Sequence, residues 1–149
     1  RFRLFYAGDN CGTLETQDSV LKPNTAPSRR KEGTVLRIIR DTKISRDIKK
    51  LYSYACQVCG ILIKTKSGFY AEGAHIKPLG RPHNGYDSSD NMLCLCPNHH
   101  VMFDKGSFSI DDDYRIIGDL PGLHDTISVH PDHEVDISNL EYHRVSHGY

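Results

Sequence analysis

The sequence predicts a small α+β domain closed by a bound metal, and three features of the chain carry that prediction. Two pairs of metal-ligand residues stand at two-residue gaps, Cys56/Cys59 and Cys96/His99. A helical apolar pattern precedes the first pair, and short apolar segments separated by glycine and proline surround the second. With 149 residues, 38 % of them aliphatic or aromatic, and a mean hydropathy of −0.51, the chain is long enough for one domain with a modest core. That is the size range in which a metal cross-link adds most to stability.

In chain order, residues 1–6 read as a short strand ended by Ala7-Gly8-Asp9-Asn10. Residues 13–34 hold Pro23, Pro27 and Gly33 without an apolar period and read as a loop or linker. Arg29-Arg30-Lys31 reads as solvated linker charge. The domain proper is expected over residues 35–149, with 1–34 an N-terminal arm or linker, or the end of an upstream reader domain. The chain opens at Arg1 rather than Met, as a fragment of a longer protein would.

Residues 42–54 are expected to be helical, because Ile44, Ile48, Leu51, Tyr52 and Ala55 recur at three- and four-residue steps and Asp41 or Thr42 can cap the start. The opposite face carries Lys43, Arg46, Lys49 and Lys50, a basic stripe that can solubilise the helix or track phosphates. Apolar segments at 61–63 and 69–76 flank Lys64-Thr65-Lys66-Ser67-Gly68 and predict a hairpin. A polar loop with Pro78, Gly80, Pro82 and Gly85 follows, then a short turn over 91–95 capped by Asp90. Pro97 suits the first position of a helix running to Asp104 and stopped by Gly106. Segments 108–110 and 114–117 predict a second hairpin around Asp111-Asp112-Asp113, which lacks the other ligand positions of a calcium loop and reads as a turn.

Formal charge is zero, from 19 basic and 19 acidic residues, yet the balance hides a division. Residues 1–81 sum to +9 and residues 82–149 to −9, and eight of the nine histidines fall in the acidic part. Such asymmetry is a hint of nucleic-acid contact. No apolar run approaches the eighteen or so residues of a membrane span, and no signal-peptide pattern opens the chain. Five cysteines are an odd number, which fits metal-bound thiolates in a reducing, cytoplasmic setting better than a disulfide framework.

A two-residue gap lets both side chains of a tight turn point at one tetrahedral zinc, and two such turns supply four ligands. Cys56, Cys59, Cys96 and His99 are therefore the expected ligands of one structural Zn²⁺. Cys94, two residues from Cys96, competes for the same position, and Cys11 reads as an ordinary thiol.

Between and after the knuckles runs Ala74-His75-Ile76 … Asp90-Asn91-Met92-Leu93-Cys94-Leu95-Cys96-Pro97-Asn98-His99-His100-Val101-Met102-Phe103-Asp104-Lys105-Gly106. Over about residues 41–117 this resembles the HNH endonuclease family, and the early Ala-His-Ile with the late His-His and Phe-Asp resembles the nuclease domain of McrA-like, modification-dependent restriction enzymes. The likeness extends more weakly to His133 and Tyr142-His143-Arg144. The resemblance implies a ββα-metal core, in which a hairpin and a helix hold one catalytic divalent cation. It implies His75 as general base, Asn91 as the residue that orients it by a hydrogen bond, and His100 with Asp104 as ligands of Mg²⁺ or Mn²⁺.

The chemistry agrees with those residue types. Phosphodiester hydrolysis needs a base for water and a cation for the charge on phosphate and leaving oxygen. A histidine, with an ordinary pKa of about 6.5, suits the first task. Asp104 lies one helical turn after His100 and can share its cation. Many members of the family carry a further metal ligand just before the base, where this chain has Ala74; Glu72 is the nearest substitute, although in a strand it points to the face opposite His75. Lys77, Arg81 and Arg144, with Arg46, Lys49 and Lys50 on the helix, are expected DNA contacts. The expected partner is double-stranded DNA, modified or plain, with a homodimer making two cuts and no membrane association. The alternatives are a zinc-closed DNA-binding module with a decayed nuclease site, marked by Ala74, and a redox protein built on the paired cysteines.

Overall fold

The computed structural model describes residues 42–118 and 125–149. The strand expected at 1–6, the linker at 13–34, Cys11 and Asp41 lie outside the described residues.

The first helix, α1 (Lys43–Leu51), starts at Thr42, whose hydroxyl oxygen accepts from the Ser45 amide at 3.2 Å. It ends sooner than its apolar period suggests. Ser53 and Tyr54 take positive φ values of 50° and 62°, and the Tyr54 amide reaches back to the Lys49 carbonyl at 2.8 Å. This winds up the helix and delivers the chain to Cys56.

The first hairpin forms at the expected turn, pairing β1 (Ile63–Thr65) with β2 (Gly68–Tyr70). The run 69–76 is not one strand, however. After Ala71 the chain enters a second antiparallel ribbon, in which β3 (Glu72–His75) pairs with β4 (Met92–Leu95), Glu72 opposite Leu95 and His75 opposite Met92. The turn expected over 91–95 is thus corrected: only Ser89–Asn91 turn, and the next four residues are strand. All four are buried, Met92 and Cys94 in the cluster with Ile48 of α1, Leu93 and Leu95 in the larger core with Phe103. A strand covered on both faces shows no polar alternation, so its period is invisible in the sequence.

Helix α1 lies against one face of this ribbon and α2 (Pro97–Asp104) against β3 and β4 as well. Close approach of α1 depends on Gly73, where a Cβ would sit 2.6 Å from Ser45 Oγ and 2.8 Å from Met92 Sδ. The second hairpin, β5 (Ser109–Ile110) with β6 (Ile116–Ile117), turns at the acidic triplet, where Asp111 Oδ1 accepts from the amides of Asp113 and Arg115. A final helix, α3 (Ile137–His147), was not anticipated. Asp136 caps it through the Ser138 amide, and Gly148 ends it at φ 79°. It packs on β5, where His143 is buried flat against Phe103 with ring centres 3.7 Å apart.

Candidate active site and metal centre

The two knuckles meet. One ligand atom from each of Cys56, Cys59, Cys96 and His99 lies within 4.8 Å of every other, with three of the four residues buried. His99 Nδ1 is 3.2 Å from Cys96 Sγ and 3.6 Å from Cys56 Sγ. Burial pushes the Cys56 and Cys96 thiols up and His99 down, so the imidazole is held in the neutral form that binds metal. Three soft sulfurs and a neutral nitrogen at this spacing fit a tetrahedral ion such as zinc. Cys94, the competing ligand, faces the other way into the cluster under α1, where burial raises its thiol to about 12. Gln57 locks the first knuckle to β4 and to the later chain, its Oε1 accepting from the Cys94 amide and its Nε2 donating to the Ser128 carbonyl.

His75 is the last residue of β3, at the point where the chain leaves the ribbon. Its Nε2 lies 3.0 Å from Asp87 Oδ1. A carboxylate oxygen accepts, so Nε2 carries a proton, and in the neutral ring the lone pair is on Nδ1. Asn91 has a different partner from the one expected. Its buried side chain accepts from the Lys77 amide at 2.8 Å and donates to the carbonyls of Lys77 at 2.9 Å and Tyr86 at 2.8 Å. All three of these bonds go to the two ends of the loop between β3 and the Ser89–Asn91 turn, the loop that carries Asp87.

His100, on α2, is engaged on both ring edges. Nδ1 lies 2.7 Å from Glu72 Oε2, and Nε2 lies 3.4 Å from Asp104 Oδ2. Glu72 is buried and its other oxygen accepts from the Tyr70 hydroxyl at 2.8 Å. Along β3 it shares a face with Ala74, which packs into the core beside α2, so an acid does stand near the position that Ala74 leaves without a ligand. It reaches the far edge of the imidazole, however, and among the described residues only the cysteine-histidine group brings three or more such donors together. His100 Nε2 and Asp104 offer a nitrogen and an oxygen close enough for one Mg²⁺ or Mn²⁺ to touch both, with the remaining positions for water. A carboxylate on the second nitrogen of a metal-binding histidine fixes its tautomer and orientation.

The cationic residues divide. Lys43, Arg46 and Lys50 are exposed on α1, with Lys49 half-buried. Arg81 is exposed, and the Lys77 ammonium sits 4.6 Å above the centre of the Tyr142 ring. Arg144, expected at DNA, is instead taken up by the fold: it donates to the Ile110 carbonyl at 2.8 Å and pairs with Asp112 at 2.5 Å. His133 is buried, bridging the Tyr52 hydroxyl at 2.6 Å and the Ser89 carbonyl at 2.8 Å, and so ties α1 to the turn before Asn91. Sequence reasoning missed Asp87, which is one aspartate in a polar loop with no local signal to distinguish it. No described helix is long and apolar enough to cross a membrane.

A paired ribbon backed by a helix, two histidines each held by a carboxylate, and a four-donor metal cluster beside them define a ββα-metal nuclease domain. The chain belongs to the HNH endonuclease family, whose model matches residues 56–111. Anaredoxin from Nostoc sp. (strain PCC 7120 / SAG 25.82 / UTEX 2576) is 35 % identical over 69 residues, which are 46 % of this chain and 82 % of that protein. Among solved structures, the modification dependent TagI restriction endonuclease matches with 43 % identity and a TM-score of 0.67 over 74 % of this chain. This chain spans 39 % of that enzyme's length.

Proposed function

We propose that the chain is the cleavage domain of a modification-dependent restriction endonuclease, acting in the cytoplasm on double-stranded DNA with Mg²⁺ or Mn²⁺, on a scaffold closed by one Zn²⁺. The observation that carries this reading is the pair of oriented imidazoles, His75 held by Asp87 and His100 held by Glu72. His75 Nδ1 takes a proton from the water whose oxygen attacks phosphorus. The bond from phosphorus to the leaving sugar oxygen breaks, and that oxygen departs with the electron pair and is protonated by solvent. Asp87 keeps the proton on His75 Nε2 and favours the imidazolium that forms. His100 Nε2 and Asp104 would hold the cation, which when bound would supply stabilisation of charge on the phosphate and leaving oxygen. Glu72 is a positioning residue for His100, and Asn91 one for the loop that carries Asp87.

The exposed cations of α1 support a track for the DNA backbone, since this helix packs against the turn that ends at Asn91. Lys77 and Arg81, in the loop after His75, supply further phosphate contacts. A break in both strands takes two such domains, one for each scissile phosphate, so the reading includes a homodimer. Reading of a modified base falls to a separate domain, in keeping with the longer chain of the restriction endonuclease that resembles this one.

The test is cleavage of plain, methylated, hydroxymethylated and phosphorothioated DNA across a Mn²⁺ titration. His75→Ala should lower cleavage by roughly 10²–10⁴-fold while zinc content and DNA affinity hold. Full activity in that variant would sink the assignment. A wild-type chain that binds DNA but shows no cleavage under any divalent ion would point to the decayed module instead.

A further inference from the structure

Resting on the nuclease reading, we infer that Tyr86 is a nucleotide-contacting residue whose ring stacks on a base or sugar of the DNA strand next to the scissile phosphate. Single exposed apolar side chains are ordinary on protein surfaces, so exposure alone means little. Tyr86 differs in how it is held. It is 80 % exposed, the highest value among the large apolar residues described, while its backbone is fixed. Its carbonyl accepts from the buried Asn91 side-chain Nδ2 at 2.8 Å, and the Gly85 backbone amide beside it donates to the Pro78 carbonyl at 2.8 Å.

The two limbs of the loop touch at Gly85. A Cβ there would lie 2.1 Å from the Lys77 carbonyl oxygen, so only glycine permits the closure. The ring therefore projects from a closed, hydrogen-bonded base, and little backbone freedom is lost when it meets a ligand. One residue further along, Asp87 holds His75. The segment 77–86 contains Lys77 and Arg81 and no acid, a charge that suits a polyanion and opposes an acidic protein surface. An aromatic side chain on a loop that also carries two cations, anchored one residue from the partner of the general base, matches the usual combination of stacking platform and phosphate contact.

The test compares the wild-type chain with Tyr86→Ala and Tyr86→Phe on two substrates, duplex DNA and methyl 4-nitrophenyl phosphate, a phosphodiester without base or sugar. Tyr86→Ala should lose on the order of tenfold in kcat/KM on DNA, with hydrolysis of the small diester unchanged, and Tyr86→Phe should retain DNA cleavage. With cleavage silenced by His75→Ala, DNA carrying 2-aminopurine beside the cut should change fluorescence on binding, and adding Tyr86→Ala should remove that change. Equal DNA cleavage by wild type and Tyr86→Ala overturns the inference and leaves the nuclease reading standing. A parallel fall on both substrates overturns it too, by showing that the ring acts on Asp87 and His75. Loss of a dimer in Tyr86→Ala would assign the ring to a second copy of the chain instead. A wild-type chain inactive on both substrates sinks the nuclease reading itself and the inference with it.

Discussion

In the knuckle cluster, four donors from two chain segments lie within 4.8 Å of one another. In the candidate active site, each histidine has one ring nitrogen held by a carboxylate, Nε2 of His75 by Asp87 and Nδ1 of His100 by Glu72, and His100 Nε2 also lies beside Asp104. The first arrangement is complete within the chain, so binding an ion there is part of folding. On the nuclease reading, the second is completed by a cation and a phosphate. The two arrangements use neighbouring histidines on the same helix: His99 stands in the four-donor cluster, and His100, the next residue, turns to Glu72 and Asp104. Changes to the cluster should destroy the fold and the chemistry together, whereas changes around His75 and His100 should separate them.

The largest effect tests the cluster. Chelation of its metal, or Cys96→Ser, should remove stability on the order of 10 kcal/mol and abolish the cooperative melting transition followed by circular dichroism. A cluster that serves redox chemistry would instead leave a folded chain that forms a reversible disulfide. Survival of the full transition after complete metal removal would break the comparison.

Next comes acid sensitivity at His143, which belongs to the scaffold. Its Nε2 donates to the Phe103 carbonyl and its Nδ1 accepts from the Ser109 hydroxyl, so the ring is neutral, and burial lowers its pKa to about 4. The folded state resists a proton that the unfolded chain takes up near pH 6.5. The stabilisation is therefore complete above pH 6.5 and is lost as the pH falls from there toward 4, by roughly 3 kcal/mol. An NMR titration should show the His143 ring silent between pH 7.5 and 5; a midpoint near 6.5 would refute the assignment.

The smallest effect sharpens the active-site half. Glu72→Gln keeps the shape but weakens the hold on His100, and should lower Mn²⁺ affinity by about 10–100-fold with zinc content unchanged. Mn²⁺ electron paramagnetic resonance reads this without any turnover. Unchanged affinity would confine Glu72 to packing.

Much of this domain could be read from the chain because its key residues lie close together in sequence. Cys56 with Cys59, Cys96 with His99, and His100 with Asp104 are contacts across three or four residues, fixed by one turn of backbone. His75, Asn91 and His100 were recognisable through the order of a family motif. What each of them touches was not. Asp87 meets His75 across 12 residues and Glu72 meets His100 across 28, and any of several acids would have served as well on spacing alone. Arg144 looked like a free cation until the fold placed Ile110 and Asp112 beside it. Strand β4 escaped notice because burial on both faces erased its period, and α3 because its cap, Asp136, and its stop, Gly148, frame a helix with little apolar patterning.

The sequence by itself determined the α+β class, the four donors of the metal cluster and the division of charge into +9 and −9, since each follows from residue type and short-range spacing. Which carboxylate holds which histidine, and that the Asn91 side chain bonds the loop and not the His75 ring, follow only from the tertiary fold. The pairing of β3 with β4 and the packing of α1 and α2 against that ribbon bring distant residues together, and a pairing across a ribbon depends on long-range register that no local pattern encodes.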